Sequence, residues 1–360
     1  MKIPEMMNAV VTYGPHDYRF EQVKVPRPVN KGEILLKIEG CGICAGDIKA
    51  YKGGEVFWGN GSAPGYLETP AIGGHEFAGV IAEISDETAA VKHLKAGDRV
   101  VVEQIAPCGK CRYCKHGEYS LCVKHDVFGF KYYLNGGFAE YALMPDHARI
   151  FKIPGDMSLT DAVLVEPFAC SFHAVERSRM TNEDIVVISG CGALGLGMVT
   201  AARQKKPAKI IALDMFDKRL AHAASFGADI TFNPSKVNVV EEIRRLTEGC
   251  GCDVYIEATG HPSSVTQGLE AIRKNGNFVE FSLFIDPVTC NWSVIGDGKE
   301  LNIYGVSLSP GCFPPVIDGI YSGSLNTEGI VTHSFHLEEF KSAFDICMDG
   351  RDSIKVMLTP

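Results

Sequence analysis

The stretch DIVVISGCGALG, residues 184–195, constrains the fold of this chain more than any other. The continuous, β-branched apolar run after Asp184 ends in glycine and reads as a strand buried on both faces. Gly190, Gly192 and Gly195 then give the spacing G-x-G-x-x-G, and a helical stretch follows through about residue 205. Strand, glycine turn and helix form the context in which this spacing binds a dinucleotide. The glycines permit a tight turn, close approach of pyrophosphate to backbone and close helix–strand packing, and the helix N-terminus faces the phosphates. Gly190, Gly192, Ala193, Leu194 and Gly195 are therefore the expected cofactor-binding residues. Asp214 closes the next strand, KIIALD. A carboxylate there accepts hydrogen bonds from ribose hydroxyls and repels a 2′-phosphate, so NAD is expected rather than NADP. Lys218 and Arg219, close by, keep the phosphate reading open.

Residues 253–260 and 276–283 read as further strands, and 301–308 as one more. Strands separated by helices predict a doubly wound parallel α/β sheet with right-handed crossovers. Residues 1–150 differ. Short alternating runs at 34–38 and 77–84, and GDRVVV at 97–102, are punctuated by Gly and Pro, the pattern of a β-rich domain. A length of 360 residues also favours two domains. Near the C-terminus the sequence predicts one amphipathic helix around 337–348 and a final strand, IKVMLT. That strand has no place in the nucleotide sheet and is expected to return to the first domain. The expected division is 157–308 for the nucleotide domain, and 1–156 with 309–360 for the other.

A net charge of −9 argues against a broad nucleic-acid or anionic-membrane surface, because phosphate binding needs a basic face. The N-terminus lacks a basic region followed by an apolar one, and no apolar run approaches a membrane span. Thirteen cysteines without a secretion signal fit a reducing cytoplasm, with metal or core roles for the thiols.

Four of those thiols, Cys108, Cys111, Cys114 and Cys122, have the spacing C-x2-C-x2-C-x7-C. They can surround one tetrahedral Zn²⁺ and leave no open position, as in a structural site. Lys110, Arg112, Lys115 and His116 leave the loop little to bury, so metal ligation is its expected organiser. Such a site does no chemistry. Three other islands offer ligands for one that does: GCGICAGD with Cys44, GGHEFAGVI with His75 and Glu76, and VEPFACSFHA with Glu166. Cysteine, histidine and carboxylate, with a position left for water, make a catalytic zinc site.

These islands, with GDRV, the four-cysteine loop, GGFAEY, GCGALG and VTHSF, resemble the zinc-dependent medium-chain alcohol dehydrogenases over nearly the whole length. Glu166, where many alcohol dehydrogenases carry cysteine, is similar to the polyol and threonine branch. The resemblance implies a GroES-like catalytic domain beside the Rossmann domain, with two zinc ions per chain and NAD. It implies that Cys44, His75 and either Glu76 or Glu166 hold the catalytic zinc, and that Asp47 orients His75 through its second ring nitrogen. It further implies hydride transfer from a secondary alcohol of a small polyol to NAD⁺, giving a ketose. Four-carbon sugar alcohols are the expected substrates, with L-threonine 3-dehydrogenase or 2,3-butanediol dehydrogenase as the alternative. A homodimer or homotetramer joined around residues 301–308 is also implied.

The chain departs from the family at two places. Gly46 stands where many members carry Ser or Thr, and Lys49 where many carry His, so both usual proton-relay groups are missing. The proton is expected to leave through water and Glu166, or with help from a neighbouring substrate hydroxyl. Phe57, Trp58 and Tyr66 in the loop 51–66 are candidate cleft residues. Lys131, Asn135 and Glu140 are candidate partners for polyol hydroxyls.

Overall fold

The computed structural model describes residues 2–360. The chain divides into two compact units: Met1–Glu166 with Phe313–Tyr321 and Glu328–Pro360, and Pro167–Cys312 with Ser322–Thr327. The sequence-based boundaries fall at 156 and 308 instead. Side-chain contacts account for the difference. Phe313 stacks on Phe151 at 5.2 Å and the Tyr321 hydroxyl donates to Asp156 at 3.1 Å, which ties the helix Phe313–Tyr321 to the first unit. Asn326 N–H donates to Thr200 at 3.0 Å and Gln204 to the Ser324 carbonyl at 3.2 Å, which tie 322–327 to the helix Ala193–Lys205.

In the first unit, the strand Ile34–Gly42 is the spine of a seven-stranded sheet, and Ile34, Leu35 and Leu36 are wholly buried. It pairs antiparallel with Glu76–Ile84, and Gly42 lies opposite Glu76. It also pairs antiparallel with the last strand, Lys355–Thr359, through Gly42 opposite Met357. The C-terminal strand thus returns to the first unit, where its apolar side chains join the core. A smaller sheet pairs Met6–Gly14 with Asp17–Lys24 and Ala71–Ile72.

The second unit holds a six-stranded, all-parallel sheet. Its order is Ile230–Phe232, Lys209–Leu213, Ile185–Ser189, Cys252–Glu257, Ile272–Glu280 and Asn302–Gly305. The strand Ile185–Ser189 sits centrally, as its continuous apolar run requires. Ile230–Phe232 gave no sequence signal, because it is three half-buried residues at one edge. No helix among the described residues is long and apolar enough to cross a membrane.

Candidate functional site

Strand pairing assembles the first site. Because Gly42 is opposite Glu76, the residues just beyond, Cys44 and His75, emerge side by side. Cys44 caps the helix Ala45–Tyr51, and its N–H donates to Asp47 Oδ2 at 2.9 Å. Donor atoms of Cys44, His75 and Glu76 all lie within 4.8 Å of one another. Asp47, His75, Glu76 and Glu166 are all buried. Glu166 stands in the first turn of the helix Val165–Arg177, close enough for its charge to act on His75.

The electrostatics call for a cation. Burial alone would lower the His75 imidazole, yet Asp47, Cys44 and Glu166 raise it well above its ordinary value. His75 Nδ1 is buried without a hydrogen-bond partner, and Asp47 Oδ1 lies 3.7 Å away. One nitrogen faces the donor cluster and the other an aspartate, the arrangement of a metal-ligating histidine with an outer carboxylate. The thiol, imidazole and carboxylate set suits Zn²⁺.

One residue of this site escaped the sequence reading. Lys355 Nζ donates to Glu76 Oε1 and Oε2 at 2.7 and 2.6 Å and to the Ile43 carbonyl at 3.1 Å. Burial works against its charge, but Glu76, with Cys44 and Glu166, more than reverses this and raises its pKa. Gly42 makes the arrangement possible, since a Cβ there would lie 2.2 Å from Glu76 Oε2. The available signal was a lysine inside the apolar run IKVML.

The aromatic loop lies close to these ligands. Phe130 is 5.5 Å from the His75 ring, and Phe57 stacks on Phe130 at 5.5 Å. Trp58 donates its indole N–H to the Ala50 carbonyl at 2.7 Å, and Tyr66 its hydroxyl to the His125 carbonyl at 2.5 Å. The three residues expected to meet polyol hydroxyls are engaged otherwise. Lys131 donates to the Tyr66 carbonyl and Glu68, Asn135 accepts from Ile72 N–H, and Glu140 accepts from Asn8 N–H.

The four-cysteine loop brings Cys108, Cys111, Cys114 and Cys122 within 4.8 Å. Backbone N–H groups of Cys114 and Val123 lower the Cys111 thiol to about 6. Those of Lys110 and Cys111 lower Cys108. Cys114 moves the other way, pushed up to about 12 by burial and by the neighbouring Cys111 thiol, so the loop lowers two of its thiols and raises a third. Tyr119 and Arg149 both donate to the buried Glu103, at 3.1 and 2.7 Å, anchoring the loop to the strand Arg99–Val102 and its neighbours.

In the second unit the three glycines have separate reasons. Gly190 adopts φ +101°, a conformation that side chains rarely tolerate. A Cβ on Gly195 would meet the Gly190 carbonyl oxygen at 1.7 Å, so the helix can approach the strand only with glycine there. Gly192 caps the helix Ala193–Lys205, and a Cβ there would meet nothing within 4 Å. The helix N-terminus is thus left open for phosphate. Asp214 accepts from Cys191 N–H and Phe216 N–H, both at 2.8 Å. Arg219 lies 3.9 Å from its carboxylate and over the Phe216 ring.

A glycine-framed parallel sheet together with a Cys–His–Glu cluster defines a metal-assisted, dinucleotide-linked oxidoreductase. The chain belongs to the zinc-dependent medium-chain alcohol and polyol dehydrogenase family. Residues 30–155 match the family model "Alcohol dehydrogenase GroES-like domain" and residues 193–321 the model "Zinc-binding dehydrogenase". The chain is 46% identical over 359 residues to an erythritol/L-threitol dehydrogenase of Mycolicibacterium smegmatis, covering 100% of this chain and 99% of that protein. It is 32% identical over 360 residues to a sorbitol dehydrogenase of Bacillus subtilis, covering 99% and 98%. An alcohol dehydrogenase from Escherichia coli CFT073, solved with NADH, superimposes with TM-score 0.86 at 28% identity, covering 99% of this chain and 100% of that one.

Proposed function

We propose that the protein oxidises a secondary hydroxyl of a small polyol to a ketone with NAD⁺, and that four-carbon sugar alcohols are its substrates. The observation that carries the chemistry is the Cys44–His75–Glu76 cluster, with donors within 4.8 Å. The 46% identity to an erythritol/L-threitol dehydrogenase supports the substrate.

Cys44, His75 and Glu76 hold the catalytic zinc in this reading. Glu76 can serve both Lys355 and a metal, because an ionised carboxylate has about four acceptor positions. The zinc supplies a Lewis acid that lowers the pKa of the substrate hydroxyl. Asp47 fixes the His75 ring, and Lys355 offsets the charge of Glu76. Glu166 takes the departing proton by way of water, because Gly46 and Lys49 supply no hydroxyl or imidazole. The four thiolates of the loop hold a second, structural zinc. Asp214 supports NAD over NADP, since its carboxylate, already fixed by two N–H groups, repels a 2′-phosphate. The protein acts in the cytoplasm as a homodimer or homotetramer joined at the sheet edge Asn302–Gly305, where Ile303 is exposed.

The test is NAD⁺ reduction by a panel of C3–C6 polyols, with L-threonine and 2,3-butanediol alongside. Erythritol or threitol should give the highest kcat/KM. A higher value for L-threonine would replace this reading with an amino-acid dehydrogenase.

A further inference from the structure

Among the described residues, nine other than glycine adopt positive φ, and Leu308, at +53°, is the only aliphatic one. Left-handed backbone brings Cβ against the following carbonyl oxygen, and leucine has no polar atom with which to offset that by bonding locally. Such a conformation persists only where its surroundings hold it. The side chain that holds it here is His173, half-buried on the helix Val165–Arg177, whose Nδ1 lies 2.8 Å from the Leu308 carbonyl oxygen. A carbonyl oxygen can only accept, so Nδ1 carries the hydrogen. One turn further along the helix, Arg177 donates to the Gly305 carbonyl at 3.4 Å. Arg177 and Arg179 also lie over the Tyr304 ring, at 5.9 and 4.9 Å. This end of the helix therefore grips the chain from Tyr304 to Leu308.

The place of Leu308 in the fold gives that grip a purpose. It lies just beyond the carboxyl end of Asn302–Gly305, the edge strand of the parallel sheet. In a doubly wound sheet the dinucleotide lies outside the carboxyl ends of the strands and spans both halves. The half that begins with Ile185–Ser189 carries the glycine turn and takes the pyrophosphate and adenosine. The ends of Cys252–Glu257, Ile272–Glu280 and Asn302–Gly305 are left for the nicotinamide half. Backbone pairing runs on to Val306, whose N–H donates to the Glu280 carbonyl at 3.0 Å. The chain then leaves the sheet at Leu308 and turns, with Cys312 N–H donating to the Ser309 carbonyl at 3.0 Å.

We propose that His173 is a positioning residue for the dinucleotide: its Nδ1–H locks Leu308 in the left-handed conformation and so sets the backbone of residues 306–308 against the nicotinamide half of NAD. The proposal rests on the dinucleotide reading of the glycine turn. In this role His173 acts through the Leu308 carbonyl and not by contact with the cofactor. Without the hydrogen bond, Leu308 relaxes to the right-handed or extended backbone that leucine prefers. The segment beyond the strand then shifts, and the nicotinamide half loses its seat. The pyrophosphate and adenosine keep theirs, because the glycine turn stands on the other half of the sheet.

The test compares two ligands on zinc-loaded protein: NADH, followed by its fluorescence, and ADP-ribose, which lacks only the nicotinamide, followed by calorimetry. His173→Leu removes the donor and keeps an apolar side chain in its place. NADH Kd should rise about tenfold, the effect of losing roughly one hydrogen bond, while ADP-ribose Kd stays within about twofold of wild type. His173→Asn, whose amide nitrogen stands near the position of Nδ1, should keep NADH Kd within about threefold of wild type. Leu308→Gly added to His173→Leu should restore NADH Kd to within about threefold, because glycine takes positive φ without a restraint. Circular dichroism checks folding. Should His173→Leu fail to fold, His173→Gln, with its donor one carbon further out, replaces it under the same expectations. Equal rises for NADH and ADP-ribose would overturn the positioning role, as would a donor-free variant that binds NADH like wild type. A loss that neither His173→Asn nor Leu308→Gly reverses would overturn it too. Wild-type protein that binds neither ligand would overturn the dinucleotide reading and this role together.

Discussion

Lys355 is the residue on which the charge balance of the Cys44–His75–Glu76 cluster turns. Its ammonium and the Glu76 carboxylate are both buried, and they are 279 residues apart in the chain. Removing one partner of a buried pair leaves an uncompensated charge. Lys355→Met should therefore destabilise the metal-free protein by about 3–5 kcal/mol. Zinc should restore part of that loss, because a cation beside Glu76 replaces the missing one. Chemical denaturation of both proteins, with and without zinc, measures it, and an equal loss in the two states would refute the charge-balance role. Asp47→Asn should weaken catalytic zinc binding by about 10–100-fold, read by competition with a chelator. Glu166→Gln should flatten the acid limb of the pH–rate profile, whereas an unchanged profile and rate would rule out Glu166 as the proton route. Cys44, His75 and Glu76, whose donor atoms the fold gathers within 4.8 Å, each sit on a short glycine-framed island that marked them in the sequence. Lys355 had no such mark, because its partner is set by a strand pairing that closes the whole chain.

At the scale of elements, two devices are separable by experiment. The four-cysteine loop gathers its sulfur atoms within 4.8 Å and is anchored through Glu103, so Cys111→Ser should lower stability before it alters the hydride step. Its pH dependence has a definite sign. Thiols must give up their protons to bind a metal, so acid works against zinc in this loop whichever cysteine is considered. Release of the structural zinc to a chromophoric chelator should accordingly rise as pH drops from 7 towards 5. The glycine turn is the other device. Gly195→Ala would place a Cβ 1.7 Å from the Gly190 carbonyl oxygen, so NADH binding should be lost while zinc content is kept. Periodicity and glycine placement revealed the helix Ala193–Lys205 and its preceding strand. They missed Ile230–Phe232, since a three-residue edge strand has too few side chains to show a pattern. The walls around His75 were half legible. Three aromatics were visible in the loop, but only the fold shows that Phe57 stacks on Phe130 and that Tyr66 and Trp58 serve as anchors.

For the whole molecule, metal analysis should return two zinc ions per chain, one for each donor cluster. Asp214→Ala should reduce the preference for NAD⁺ over NADP⁺, measured as the ratio of kcat/KM values. The sequence by itself determined the order of parts: a β-rich region, a parallel α/β sheet behind a glycine turn, and a last strand returning to the first region. It also determined which side chains could bind metal, because ligand type and spacing are local properties. Only the tertiary structure decided how those side chains are used. The register of Gly42 opposite Glu76 joins Cys44 to His75, and the strand Lys355–Thr359 supplies a counter-charge. Lys131, Asn135 and Glu140 each hold a backbone group of a distant residue, which their letters did not show. The close approach at Gly42 likewise could not be read from its letter, since a glycine can mark a turn, a close approach or an open space. What lies within 4 Å of it depends on neighbours that strand pairing brings together from distant parts of the chain.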